Sequence, residues 1–386
     1  MPFLYLDHNA TTPLAPEALE AMLPWFCERF GNASSAYALG HLSDGALVAA
    51  RAQAAALVGC DPAEVVFTSG GTESLNQAVR GVWEAAPAAR RRLVLTTVEH
   101  PALRALAGWW RTQGGTVAEV PVDGRGCLDL TALEAAVTGD TALVAVMAAN
   151  NETGVLMPVA EAGRVARAQG ALFLVDATQA AGRLPLDPRG WGADLLALSA
   201  HKFHGPKGTG LLMVRRGVRI RPLMLGGSQE RGRRGGTENV PGLVGLGRAA
   251  ELAMQRLGEM GRVAALRDRL EEALLRAVPD LRIHGAGAPR LPNTCLAGFA
   301  GVEGEALQLR LGEAGICVST GSACSTGMRE PSHVLRAMAA DPDHARGTVR
   351  FSLGLATTGE EVDRVAALVP ALVAELRAQG ALGAGR

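Results

Sequence analysis

The chain has 386 residues with 38 basic and 38 acidic side chains, so its formal net charge is zero. That balance argues against a nucleic-acid or anionic-membrane binder, which would carry a basic excess, while 48% apolar residues are ample for a buried core. The length is large for one core and points to two domains or one large one with an appendage; the longest run free of Asp, Glu, Lys and Arg, the 15 residues from Ala314 to Met328, is too short and too rich in Gly and Ser to span a bilayer.

No basic start and no long apolar stretch precedes Asp7, so no export signal is expected. Leu47 to Val58 reads as a helix stopped by Gly59. Val65 to Thr68 reads as a strand, followed by a glycine turn and a helix from about Glu73 to Trp83. Leu93 to Thr97 is the next strand and Pro101 to about Thr112 the next helix. Further strands are predicted at Val117–Val122, Ala142–Met147, Leu172–Val175, Leu195–Leu198 and Gly210–Val214. Strands apolar on both faces and separated by helices imply a mostly parallel sheet covered on both sides. Ligands of such sheets bind beyond the C-terminal strand ends. From Pro222 to Gly245 the pattern breaks into Gly- and Arg-rich loop. One long helix, about Leu246 to Val278, is expected to lead into a smaller α+β unit ending near Leu376, and Ala381 to Arg386 read as a frayed tail.

The six cysteines, Cys27, Cys60, Cys127, Cys295, Cys317 and Cys324, are scattered without a CxxC pair. With no export signal expected, they read as reduced thiols of a cytoplasmic protein, most of them small core filler. The basic residues are more informative. Only two are lysines, Lys202 and Lys207. Arg replaces Lys where charge alone matters, but not where a deprotonatable amine is needed. A lysine that persists in this composition is therefore suspect for amine chemistry, although two neighbouring lysines also arise by chance.

Polar clusters follow five of the predicted strands: Thr68 to Ser74 with Gly70-Gly71-Thr72, Glu99-His100, Asn150 to Gly154, Asp176 to Gln179, and Ser199 to Lys202. Each alone reads as well as a cap or turn. Together, at the strand ends of one sheet, they would converge on one crevice holding phosphate donors, an imidazole, an amide, a carboxylate and a lysine. That inventory suits pyridoxal phosphate, which needs an amine for a Schiff base, a carboxylate at the pyridine nitrogen and a phosphate cradle. Lys202 would supply the amine and Asp176 the carboxylate. Gly71, Thr72, Ser199 and His201 would form the cradle, with a helix N-terminus favouring the anion. His100 would stack on the ring, and Gln179 and Asn151 would face its phenolic oxygen. Lys207 is the weaker amine because its run looks like a turn.

A second centre is Val318 to Gly327, made almost wholly of small residues and with little to anchor it in a core. It reads as a mobile loop with Cys324 near its tip, a candidate nucleophile. An incidental surface cysteine is the bland alternative. A metal site using Cys317, Cys324, His333 and His344 matches no zinc spacing, so no metal is expected. Arg350 interrupts the strand-like Val349 to Leu353; it suits a bidentate grip on a substrate carboxylate, or equally a structural ion pair.

These runs resemble cysteine desulfurase motifs, together with Leu6 to Thr12, Arg234 to Pro241, Gly321-Ser322-Ala323-Cys324 and Val349 to Ser352. The match runs in order from about residue 4 to residue 370. The family belongs to the class V aminotransferase superfamily, and the long Ser/Gly loop resembles its iron–sulfur-cluster and nitrogenase-associated branch. The resemblance implies an α/β fold-type I pyridoxal phosphate enzyme. Its large domain, 14–257, would hold a mostly parallel seven-stranded sheet sandwiched by helices. A smaller α+β domain, 1–13 and 258–386, would carry the Cys324 loop. It further implies a homodimer in which Thr237 reaches the phosphate of the partner subunit. Lys202 would form the Schiff base, with Asp176 at the pyridine nitrogen and His100 moving protons. Asn151 and Arg350 would grip the carboxylate of L-cysteine, and Cys324 would take its sulfur as a persulfide, releasing L-alanine. A sulfur acceptor or iron–sulfur scaffold protein would be the partner. Two positions depart from the family pattern: Ala33 stands where Pro is usual, and Tyr37 where His is usual. The chain is also short after about Leu376. Selenocysteine lyase and another aminotransferase of the superfamily remain open, the latter having no need of Cys324. A sulfur carrier or cluster scaffold without turnover is the rival of a different class, and intact Lys202, Asp176 and His100 argue against it.

Overall fold

The computed structural model describes residues 3–321 and 331–383. Its strands are β1 (Leu4–Tyr5), β2 (Val65–Thr68), β3 (Arg92–Thr96), β4 (Thr116–Val120), β5 (Thr141–Met147), β6 (Leu172–Asp176), β7 (Leu195–Ser199), β8 (Gly210–Val214), β9 (Leu281–His284), β10 (Thr294–Phe299), β11 (Ile316–Cys317) and β12 (Thr348–Ser352).

All seven strands expected of the large sheet form it, in the order β2-β8-β7-β6-β5-β3-β4. β8 runs antiparallel to β2 and β7, and the remaining pairs are parallel. Alternate side chains go to opposite faces, and both faces are apolar. Phe67, Val94, Val144, Phe173, Val175, Leu196 and Leu198 join one core cluster. It includes buried residues of the helices Ala38–Val58, Val159–Ala168 and Val240–Gln255. Val66, Leu93, Leu95, Leu143, Leu174 and Leu212 join a second cluster with the helices Gly71–Ala85 and Pro101–Thr112. Each fully buried Leu, Val or Phe contributes about 1.5–3 kcal/mol. This double cover explains why the strands read as continuous apolar runs rather than as alternation.

Local signals fix the helix ends. Ala38–Val58 stops at Gly59, which adopts φ +80° and donates to Ala55 O, a left-handed cap glycine tolerates best. Pro101 opens its helix at a position where no N–H is needed. The expected single helix Leu246–Val278 is instead two, Val240–Gln255 and Met260–Ala277, joined through a 3₁₀ turn at Leu257–Glu259. Gly258 lies in that turn, where the chain leaves one core cluster for another. β4 begins one residue earlier than read and ends at Val120, and β6 extends to Asp176.

A three-stranded antiparallel sheet, β12-β10-β9, and the parallel pair β1-β11 lie against a third cluster. This cluster unites Leu4 and Leu6 with Val263, Leu270, Phe299, Phe351, Val362 and Val369. Among the described residues no helix is long and apolar enough to cross a membrane.

Candidate active site

The C-terminal ends of β2, β3, β5, β6 and β7 face one cavity of about 910 Å3. Gly71, Thr72, His100, Asn151, Asp176, Gln179, Ser199, His201, Lys202 and Arg350 all line it. Thr237 is exposed and does not line it. The cysteine at 324 lies outside the described residues, but Gly321 is on the cavity wall.

One end of the cavity is built from the turn after β2. Gly70 takes φ +153°, a conformation that L side chains rarely adopt. A Cβ on Gly210 would lie 2.6 Å from Gly70 Cα, so β8 packs directly under this turn. Thr68 and Ser74 hydroxyls pair at 2.8 Å, which pins the start of helix Gly71–Ala85. The first N–H groups of that helix have no intrahelical acceptor, and Gly71 and Thr72 face the cavity with Ser199 and His201. Glu73 would oppose an anion here, but it forms an ion pair with Arg234 at 3.0 Å and accepts from Ser69 N at 2.8 Å. His201 Nδ1 meets Thr11 Oγ1 at 3.1 Å. Burial, then the Lys202 and Lys207 charges, push its pKa down to about 4, so the ring is neutral.

The middle of the cavity holds the amine and the carboxylate. Lys202 ends the short turn after β7, and its Nζ donates to Asn9 O at 2.6 Å and Ala10 O at 2.7 Å. Asp176 ends β6 and accepts the Thr178 N–H at 3.0 Å. His100 caps helix Pro101–Thr112, its Nδ1 accepting from Ala102 N at 3.2 Å. Burial lowers its pKa, with Asp176 opposing and Lys202 adding to the effect. A neutral ring that accepts at Nδ1 carries its proton on Nε2.

Arg350 forms the far wall. It is 2% exposed. Its Nη2 pairs with Asp7 Oδ1 at 2.7 Å and its Nη1 donates to Asn151 O at 2.8 Å. Its Nε is buried and has no partner among the described residues. Both alternatives read from sequence thus meet in one side chain: a structural ion pair and an unused donor. Beside it the run from Val318 to Gly321 is anchored, contrary to expectation. Val318 and Ser319 are buried, and Ser319 exchanges backbone hydrogen bonds with Arg350 at 3.3 and 2.7 Å. Alternating small residues hide this pairing because they lack the bulk that marks a strand.

Two buried carboxyls were given no role from sequence: Glu152 in the cavity lining, and Glu99 next to the lining residue His100. Glu99 accepts from Thr96 Oγ1 and Met147 N, and burial raises its pKa to about 8. Glu152 lines the cavity, and burial raises its pKa to about 7. Asn9 was also missed. It is 1% exposed, and its carbonyl accepts from both Lys202 and Gln179. Its signal was the polar run Asp7-His8-Asn9 directly after a short strand. His333 bonds Glu99 O and His344 bonds Asp341, and among the described residues no group of three or more His, Cys, Asp or Glu could hold a metal ion.

The donor set fits pyridoxal phosphate. One enclosed space contains a lysine amine, a carboxylate some residues away along a neighbouring strand, and a helix N-terminus with hydroxyl and imidazole donors. The anion end and the amine end are separate features of the same wall, as a phosphate on one arm of an aromatic ring requires.

Residues 4–365 match the family described as aminotransferase class-V. A cysteine desulfurase of Trichormus azollae is 50% identical over 379 residues, which is 98% of this chain and 94% of that one. A solved structure titled NifS-like protein superposes with a TM-score of 0.91 at 38% identity, covering 97% of this chain and 100% of that one. A structure titled SspA in complex with cysteine gives a TM-score of 0.82 at 31% identity, with 91% and 98% covered. The chain belongs to the aminotransferase class-V family and, within it, to the pyridoxal-phosphate-dependent cysteine desulfurases.

Proposed function

We propose that the substrate is L-cysteine, that L-alanine is released, and that the sulfur leaves on Cys324 as a persulfide for delivery to iron–sulfur cluster assembly or another acceptor. The observation that carries this reading is the cavity itself. It joins Lys202 and Asp176 to an arginine whose buried Nε has no partner among the described residues, and its lining includes Gly321, three residues before Cys324 in sequence.

Lys202 would hold the cofactor covalently, with Asp176 at its ring nitrogen and His100 over its face. Gly71, Thr72, Ser199 and His201 would hold its phosphate, and Gln179 with Asn151 would face its ring oxygen. When bound, the cofactor supplies an electron sink for the carbanion left by loss of the substrate's Cα proton. Arg350 and Asn151 orient the substrate through its carboxylate; Arg350 Nε and the Asn151 side chain are the donors for this. Lys202 would also serve as the base that takes the Cα proton and returns it. His100, neutral with its proton on Nε2, can pass a proton within the same space. The Cys324 thiolate then attacks the substrate sulfur. The Cβ–S bond breaks as the S–S bond forms, and the departing carbon skeleton takes a proton to become alanine.

The division into a large domain, 14–257, and a small one, 1–13 with 258–386, is part of the proposal. It is supported by the separate core cluster that joins Leu4 and Leu6 to residues beyond 262. A cytoplasmic homodimer is proposed with it. Thr237 lies away from its own cavity, where a role across a subunit boundary would put it. Exposed Leu23, Phe26, Phe30, Tyr37 and Leu42 offer an apolar face of the kind a subunit contact covers. The test is turnover of L-cysteine by the loaded enzyme with a thiol reductant, scoring alanine and sulfide. Equal yields of the two are expected. Alanine formation below the level of a Lys202→Ala control would end the reading.

A further inference from the structure

Arg183 follows Gln179 in the run Gln179-Ala180-Ala181-Gly182-Arg183. It is 6% exposed, and among the described residues it forms no ion pair. Burial, then the Arg350 charge, pull its pKa down to about 9. A guanidinium buried without a carboxylate is costly to fold around, so its neighbours matter. Nη1 donates to Gln179 O at 2.8 Å and to Gln179 Oε1 at 2.6 Å, and Nη2 donates to His8 O at 2.9 Å.

Arginine has only donors. The Gln179 side-chain atom it meets is therefore the oxygen. On the other side, Gln179 Nε2 lies 3.0 Å from Asn9 O, a carbonyl that only accepts. These two neighbours fix the amide orientation, which is ordinarily ambiguous. Lys202 Nζ shares the same Asn9 O, so the amide sits beside the lysine. One N–H of Gln179 goes to Asn9; the other takes no partner among the described residues, and Gln179 lines the cavity.

We propose that Arg183 is a positioning residue: it makes Gln179 a donor-only group toward the cofactor's ring oxygen and so holds that oxygen in its anionic form. The inference rests on the placement of the ring oxygen at Gln179 given above. The titratable and charged groups facing this point are Asp176, Lys202, His100, His201, His8 and Arg350. None of them constrains the Gln179 amide. A carboxylate at 179 would satisfy Arg183 equally well, but it would remove the donor.

The test uses the loaded enzyme and the pH midpoint of the cofactor's visible absorption band, with thermal stability as the second readout. Arg183→Gln removes one of the two groups that fix the amide, leaving Asn9 O alone to hold it, and removes the buried charge; the midpoint should rise by about one pH unit or more. Arg183→Lys keeps an obligate donor and should stay near wild type. Gln179→Glu pairs with Arg183, so it should keep thermal stability yet raise the midpoint. It also decides the matter if Arg183→Gln does not fold. If Arg183→Gln loses stability with its midpoint unmoved while Gln179→Glu shifts, Arg183 is only structural and the proposal falls. If neither shifts the midpoint in folded, loaded protein, the ring-oxygen placement falls with it.

Discussion

Arg350 gives the most quantitative handle on the site. Replacing it with Ala removes the Asp7 pair at 2.7 Å, the bond to Asn151 O at 2.8 Å and the unpaired Nε donor. The abandoned Asp7 has 18% side-chain exposure, so water can solvate it and the strand β12 should survive. On the proposed role of Arg350, the loss that matters is the bond to the substrate carboxylate. A hydrogen bond to a charged group contributes about 1.5–3 kcal/mol. At about 1.4 kcal/mol per factor of ten, KM for L-cysteine should rise roughly 10- to 150-fold. kcat should change far less, because the carboxylate is held alike before and during reaction. Arg350→Lys keeps the charge but cannot serve Asp7, Asn151 and substrate from one planar fork, so its KM should fall between the two. The assay is initial-rate alanine formation against cysteine concentration, with the visible band and far-UV circular dichroism confirming loaded, folded protein. A KM within about twofold of wild type in such protein would refute the carboxylate assignment.

Three further outcomes follow from the same geometry. Lys202→Ala should abolish the visible band of the bound cofactor while circular dichroism shows the fold retained, the lost contacts including those to the Asn9 and Ala10 carbonyls; an unchanged spectrum would transfer the role to Lys207. Glu99 has its pKa raised from 4.5 to about 8 by burial, so the folded state binds a proton the unfolded state has lost, and its contribution to stability declines as pH rises from about 4.5 through 8. Glu99→Gln, which mimics the protonated form, should therefore gain thermal stability over wild type at pH 8.5 and little at pH 4.5; an equal difference at both ends would show that Glu99 does not titrate there. Arg51→Ala strips the bidentate partner from Glu230, which is 3% exposed at its side chain and also accepts from Phe67 N. Breaking such a pair costs about 3–5 kcal/mol, measurable by urea unfolding, and a cost near zero would mean that Glu230 reaches water.

The large sheet was legible because both of its faces are covered. Seven apolar runs such as Leu93 to Thr97 and Leu195 to Leu198 read as a buried, mostly parallel arrangement. The cavity was legible for a related reason: Ser199, Asp176 and Asn151 each stand at or just past the end of such a run, and strand ends of one sheet converge. What sequence could not supply was the contact between distant segments. Asn9 meets Lys202 and Gln179 across some 170 to 190 positions; the polar run Asp7-His8-Asn9 marks the residue but not those partners. Nothing in a composition that favours Arg singles out Arg183; its burial without an ion pair among the described residues does. The anchoring of Ser319 to Arg350 was hidden because small residues carry no periodic signal. The helix break at Leu257–Glu259 was missed because the apolar pattern continues through it while the face it serves changes.

Transfer of the substrate's sulfur to Cys324, as proposed, is directly measurable. The loaded enzyme is mixed with L-cysteine without reductant, quenched after a single turnover, and its peptides weighed. One added sulfur atom per alanine formed, located on the peptide bearing Cys324 and absent from a Cys324→Ser variant that keeps its visible band, is the predicted result. Alanine released with no sulfur on that peptide, or undiminished turnover in Cys324→Ser, would contradict it.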